Sequence, residues 1–318
     1  MHCALIHPLR RCRGGSERAG FGLQLTNREE WRQGGKVALF YFYMISLEDA
    51  LEDMIGKAQR GLGMTDAELC AKADLLTEDL VEARNGLLRE APVRRLAGIL
   101  GMHADSLIEI AKKHWYPEIP IVPGLRQFRE EGHDMTPNAY LIADANGDAV
   151  IFDTMTDATP MIEMIQRHSL RLGAICLTHT HDDHIAALPQ LREAFPGVPV
   201  YSPRLEPVEG TILLDAGAEI RVSDLQIETR TTLGHTEGGM TYVVRRGLSV
   251  PVAAVGDALF AGSMGGGRYS WAEALSTNRK QLFTLAEETA VLPGHGPMTT
   301  IGQEKRHNPF YPEFKTQP

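Results

Sequence analysis

Apolar positions along this chain follow two different rhythms. Between Met44 and about Trp115 they recur three and four residues apart, the period of helices with one buried face. Leu47, Leu51, Met54 and Ile55 form a first stripe. Thr65 opens a second run as its N-cap, and Glu68 three residues on completes a capping box. Thr77 caps a third helix whose apolar face is Leu80 and Val81. Val93, Leu96, Ile99 and Leu100 make a fourth, stopped at Gly101, and Ser106 to Lys112 a fifth. Pro117, Pro120 and Pro123 then end the helical part, because proline neither continues a helix nor lets the residue before it do so easily.

Beyond the prolines the rhythm shortens. Strands are expected at Tyr140–Ile142 and Ala149–Phe152, joined across the Asn146-Gly147 turn. Further strands are expected at Ala174–Leu177, Val200–Tyr201, Ala218–Val222, Ile227–Thr231, Tyr242–Val244 and Val252–Val255. A helix with Met161, Ile162 and Ile165 inward falls between, over Thr159–His168. Ile185, Leu188, Leu191 and Phe195 mark another. Strands interleaved with helices predict a layered α/β domain. The organisation read from the pattern is an extension over residues 1–43, a small all-α bundle over 44–116 and a catalytic domain over 117–318. The first stretch is rich in Gly and Arg without amphipathic period, and is expected to be disordered, with Met44 as an alternative start; a targeting segment is the competing reading.

Composition narrows the function. The 318 residues carry a net charge of −9, which argues against a protein whose main partner is nucleic acid. No uncharged apolar stretch reaches the ~20 residues that span a bilayer. Cys3, Cys12, Cys70 and Cys176 are scattered, which fits a reducing, cytoplasmic home and gives no sulfur-ligated metal site. The helix order before Trp115, with its short turn between Ala73 and Thr77, resembles the helix-turn-helix bundles of phage-repressor-type DNA-binding domains. Charge opposes that use, since the helix that would enter the major groove begins Thr77-Glu78-Asp79, where phosphate contacts need Lys or Arg.

Chemistry concentrates in His179-Thr180-His181-Asp182-Asp183-His184, between an apolar strand and a helix. Imidazole and carboxylate are the usual ligands of zinc and related ions, and no packing role suits five such groups in six positions. Three more candidates follow, each where a strand runs out: His235 after Gly234, Asp257 after Gly256, and His295 between Gly294 and Gly296. Glycine beside a ligand lets the backbone approach an ion closely. The other seven histidines, His103, His133 and His307 among them, have no such setting. Asp182 reads as a solvated carboxylate, and Asp153, at a strand end, as either a cap or an orienter of a metal-bound imidazole. No Ser-His-Asp arrangement or P-loop competes for the chemistry.

Together, H-x-H-x-D-H followed by G-H, G-D and P-G-H-G resembles the metallo-β-lactamase superfamily, from about Gly124 to the C-terminus. The resemblance implies an αβ/βα sandwich with two divalent ions, zinc or iron, at one edge. It places His179, His181 and His235 on the first ion, Asp183, His184 and His295 on the second, and Asp257 across both. His181 departs from the di-iron flavoprotein branch, which has Glu there. Asp183 and Asp257 are then the carboxylates expected in catalysis. A water shared by two such ions has its pKa lowered from about 15.7 toward ~7, so hydroxide can attack a carbonyl at neutral pH.

The stretch Gly256–Ser263 and the ending Pro293–Thr300, with Glu304 and Asn308-Pro309-Phe310, look like the glyoxalase II group, the hydroxyacylglutathione hydrolases. Arg268 and Tyr269 fall where that group contacts substrate. The chain stops short of that group's C-terminal helical domain, and the N-terminal bundle is read as its replacement. The expected function is therefore metal-dependent hydrolysis of a small acyl thioester or ester, with a glutathione conjugate as one candidate; the oligomeric state is left open. The competing enzyme reading is a persulfide dioxygenase with one iron on His179, His235 and Asp257. The reading from another class is a metabolite-sensing regulator with a helix-turn-helix domain.

Overall fold

In a computed structural model that describes residues 45–129 and 136–315, the helical rhythm resolves into five short helices. They are α1 (Leu51–Gly61), α2 (Asp66–Ala73), α3 (Thr77–Arg84), α4 (Glu90–Ile99) and α5 (Ala104–Ala111). The extension expected over residues 1–43 lies outside the described residues, as does His133. Thr65 caps α2 as expected: its hydroxyl accepts the Glu68 N–H at 3.3 Å, and the Glu68 carboxylate accepts the Thr65 N–H at 2.8 Å. Thr77 is not a cap. It is the first residue of α3, and Leu76 holds the cap position. The Asp79 carboxylate accepts the Leu76 N–H at 3.2 Å, so one orphan donor is satisfied without a capping hydroxyl. α5 begins before Ser106, because His103 Nδ1 accepts the Ser106 N–H at 3.2 Å and serves as its cap.

After the prolines come two mixed sheets. The first runs in the order β1 (Leu125–Arg129), β2 (Asn138–Ala143), β3 (Asp148–Phe152), β4 (Arg171–Cys176), β5 (Val200–Pro203), β6 (Ile212–Leu214). The expected β2–β3 hairpin forms, with Ala143 opposite Ala149 and Gly147 at a φ of 85°. β3 to β6 are parallel neighbours, and such pairs need crossovers. α6 (Thr159–Arg167) supplies the one between β3 and β4, and α7 (Asp182–Ile185) with α8 (Leu188–Ala194) the next. The second sheet contains β7 (Glu219–Val222), β8 (Leu225–Thr231), β9 (Met240–Arg246), β10 (Val252–Gly256), β11 (Ala290–Pro293) and β12 (Thr299–Thr300), adjacent in chain order. α9 (Trp271–Thr277) leads into a single π-turn, and α10 (Ile301–His307) follows β12.

Burial shows how the layers stack. Side chains alternate along a strand, so β3 sends Val150 and Phe152 to one face and Ala149 and Ile151 to the other. The first pair meets Ile227, Tyr242 and Leu292 of the second sheet. The second pair packs with Met161 and Ile165 of α6 and Leu191 of α8. On the far side of the second sheet, Val243, Ala253, Val255 and Val291 share one apolar cluster with Met54, Ile55, Leu96, Leu107 and Tyr311. Burying an Ile or Leu of that kind stabilises by roughly 1.5–3 kcal/mol. The molecule is thus an αβ/βα sandwich whose outer layer on the second sheet includes α1 to α5. Among the described residues no helix is long and apolar enough to cross a membrane.

Candidate metal centre

Four strand ends converge at one edge of the sandwich. β4 delivers the His179–His184 turn, β8 is followed by His235, β10 by Asp257 and β11 by His295. His179, His184, His235, Asp257 and His295 are buried, His181 and Asp183 half-buried, and Asp182 is exposed, as a solvated carboxylate should be. All seven residues singled out from the sequence as ligands come together. They form two groups, His179, His181, His235 and Asp257 in one and Asp183, His184 and His295 in the other. Within each group the ligand atoms lie within 4.8 Å of one another.

The first group is built from mutually perpendicular rings. His179 Nε2 is 3.1 Å from His181 Nδ1, which is 3.2 Å from His235 Nε2, and the three ring pairs meet at 81°, 85° and 89°. Ligand atoms around a tetrahedral ion at ~2.05 Å would sit about 3.3 Å apart, so this spacing suits a zinc-sized ion. Asp257 faces both groups. Its Oδ2 is 3.3 Å from His235 Nε2, while its Oδ1 is 3.4 Å from His184 Nε2 and 3.6 Å from His295 Nε2. Asp183 Oδ2 lies 3.3 Å from His295 Nε2.

The electrostatics fit cations. Burial, with the imidazole of His184 next, pushes the pKa of His179 well down, and burial does the same for His235, so both offer lone pairs. A hydrogen bond from His295 holds Asp183 at about 2. Burial pushes Asp257 up, but the surrounding imidazoles, His184 first, outweigh it and keep the carboxylate ionised. His184 Nε2 and Asp257 Oδ1 are buried polar atoms with no hydrogen-bond partner in the protein. Such atoms are rare in native structures and call for an explanation, which a cation between them provides. Gly294 must be glycine for the same close approach: a Cβ there would fall 2.2 Å from Asp257 Oδ1.

Outer contacts aim the rings. Asp153, at the end of β3, holds a left-handed backbone with φ 57°, which a non-glycine residue adopts at a cost. Its Oδ2 accepts from His184 Nδ1 at 2.9 Å and from the Thr178 hydroxyl at 2.7 Å, and its Oδ1 from the Thr178 N–H at 2.7 Å. The Thr178 oxygen in turn lies 3.1 Å from His179 Nδ1. One carboxylate therefore orients a ring in each group, the arrangement that fixes metal-bound histidines. Of the two readings of Asp153, the structure favours the orienter.

Two supporting contacts have no counterpart in the sequence reading. The Glu206 carboxylate accepts the Thr180 N–H at 2.8 Å and the Gly238 N–H at 2.7 Å, tying the turn that carries His179 and His181 to the one that carries His235. Asn138 Nδ2 donates to the carbonyls of Pro293 and Gly296, both at 2.9 Å, and so fixes the turn around His295. Neither residue stands in a motif. Arg268 and Tyr269 lie at the rim, exposed, on a segment whose Tyr269 N–H donates to Gly234 O at 3.0 Å.

Comparison with known proteins agrees with this geometry. Residues 134–295 match the family model of the metallo-beta-lactamase superfamily. A probable metallo-hydrolase, YqgX of Bacillus subtilis, is 32% identical over 203 residues, 56% of this chain and 93% of that protein. A hydroxyacylglutathione hydrolase of Hamiltonella defensa is 33% identical over 157 residues, covering 49% of this chain and 61% of the relative. Among solved structures, ETHE1 from Myxococcus xanthus superposes with a TM-score of 0.52 at 29% identity, over 58% of this chain and 83% of that one.

Proposed function

Because this chain belongs to the metallo-beta-lactamase superfamily and is a metallo-hydrolase, we propose that it hydrolyses a small acyl thioester or ester, with a hydroxyacylglutathione as the leading candidate, using two zinc ions. The observation that carries the reading is the placement of Asp257, whose two oxygens face different ligand groups. Divalent ions held there supply Lewis acidity and lower the pKa of a nearby water. The chain's own work is to place and charge the site. Asp183 and Asp257 stay ionised and offset the ions' charge, and Asp153 with Thr178 keeps His184 and His179 aimed inward. In this reading the exposed Arg268 and Tyr269, on the segment bonded to Gly234 beside His235, meet the substrate's acyl or thiol portion. A thiolate leaves without a proton, so a thioester substrate asks for no further acid from the protein. A cytoplasmic setting suits it, with both described cysteines free and buried.

The relative named for hydroxyacylglutathione supports the substrate class. A persulfide dioxygenase with one iron on His179, His235 and Asp257 would leave Asp183, His184 and His295 converging without a task. A DNA-binding regulator fares worse. α3 exposes Glu78, and the nearby Arg89 is already paired with Asp79 at 2.9 Å and Glu82 at 2.7 Å. The test is metal analysis of natively purified protein, followed by assay against a panel of acyl thioesters and esters. Zinc content and turnover abolished by a chelator and restored by zinc are expected. Metal-replete protein that cleaves none of them, or iron with oxygen uptake on glutathione persulfide, refutes the proposal.

A further inference from the structure

The loop between Asp257 and Trp271 touches the ligand cluster directly. Its Gly266 carbonyl lies 3.0 Å from His235 Nδ1, the bond that puts the ring proton on Nδ1 and leaves Nε2 facing the cluster. Beside it, Gly265 packs so tightly that a Cβ would fall 1.9 Å from the Asp257 carbonyl oxygen and 2.9 Å from His235 Nδ1. Any movement of this loop is therefore felt at His235.

Much of what holds the loop comes from outside residues 134–295. Lys57 of α1 donates to the Met264 carbonyl at 3.0 Å and to Asp49 Oδ2, and Asp49 Oδ2 also accepts from the Ser263 hydroxyl. Lys57 Nζ sits 5.1 Å from the centre of the Phe260 ring. Asp49 is 7% exposed and the Lys57 side chain 15%. An ion pair so desolvated gains little stability over an apolar pair of the same size, and its better-attested use is to fix one arrangement. The helical segment backs the loop at two more points. A Cβ on Gly262 would meet the Trp115 ring at 2.7 Å, and one on Gly61 of α1 would meet the Trp271 ring at 2.2 Å. From α10 and the residue after it, Glu304 accepts the Gly262 N–H at 3.0 Å and Asn308 donates to the Ser263 carbonyl at 2.7 Å.

We propose that Asp49 and Lys57 are positioning residues of the metal centre: they pin Ser263 and Met264, and through the Gly266 carbonyl they set the tautomer and angle at which His235 offers Nε2. The helical segment is then part of the centre's construction as well as a layer over the second sheet. This rests on the reading of the seven residues as a metal centre.

The test uses the full chain loaded with zinc and titrated with a competing chelator. Lys57→Met removes the charge and the bond to Met264. Ser263→Ala removes one contact to Asp49, leaves the ion pair, and keeps the idea testable if Lys57→Met fails to fold. Both should weaken the ion held by His179, His181 and His235 about tenfold, the lower range for loss of an orienting partner, and leave the other ion unchanged. Cobalt-loaded samples should show shifted visible bands, and Lys57→Arg should recover most of the affinity. Gln59→Leu is the control: Gln59 is buried in the same helix but bonds Met64 O and Asp66, away from the loop. Wild-type affinity in both loop-side variants overturns the proposal, as does an equal loss in Gln59→Leu at a matched drop in Tm. Failure of the wild-type chain to take up zinc would instead sink the metal-centre reading, and the proposal with it.

Discussion

Glu304 is fully buried in α10, where its carboxylate receives the Gly262 N–H at 3.0 Å, the Thr299 hydroxyl at 2.9 Å and Asn308 Nδ2 at 2.8 Å. Burial, the largest influence, outweighs these donors and raises its pKa from 4.5 to about 7. The folded chain thus keeps a proton that the unfolded chain loses near pH 4.5. Stability owed to this group is fully present below that pH, falls as the pH rises through about 7, and is flat beyond. The interval between 4.5 and about 7, at ~1.4 kcal/mol per pH unit, comes to ~3 kcal/mol. Glu304→Gln keeps the shape and cannot titrate. Its fixed cost, an amide among donors, does not vary with pH, and both proteins carry the same ligand cluster, so the difference between their stabilities isolates Glu304. Urea denaturation across the interval should show the variant gaining ~3 kcal/mol on the wild type as pH rises. Parallel curves would refute the reasoning, because they would mean that the three donors hold the carboxylate ionised throughout.

Two further outcomes follow from the site itself. Asp153→Asn removes the charge and one of the two oxygens that accept from His184 and Thr178, putting an amide donor in its place, and zinc affinity measured by chelator competition should fall by ~10–100-fold with the fold intact by circular dichroism. Gly294→Ala puts a methyl group 2.2 Å from Asp257 Oδ1 and 2.7 Å from His184 Cε1, so mass spectrometry of the native protein should find the second ion lost; retention of both ions would mean that the turn yields more than its packing suggests.

What the amino-acid pattern discloses depends on how local the physics is. Side chains able to hold a metal are of a few chemical types, and the chain here presents such groups at strand ends beside glycine, so His235, Asp257 and His295 stood out as candidates although far apart in sequence. The apolar runs of β3 and β10 were equally readable, because strands covered on both faces are apolar at every position. β1 and β6 were not foreseen. β1 lies at one edge of its sheet and β6 at the other, and their burial is mixed, which leaves no run to detect. The supporting contacts are the least readable. Glu206 acts by accepting backbone N–H groups, and Gly266 by offering a carbonyl to His235. Every residue has a backbone, so such partners carry no compositional mark. Asp49 and Lys57 fail to stand out for a different reason. Eight residues apart on an amphipathic segment, they read as ordinary solvated charges, and only the packing of α1 against the Ser263–Gly266 loop takes them out of water. The candidate ligands of this cluster are thus written in side-chain type, while the precision with which they are held resides in which backbone groups the fold brings beneath them.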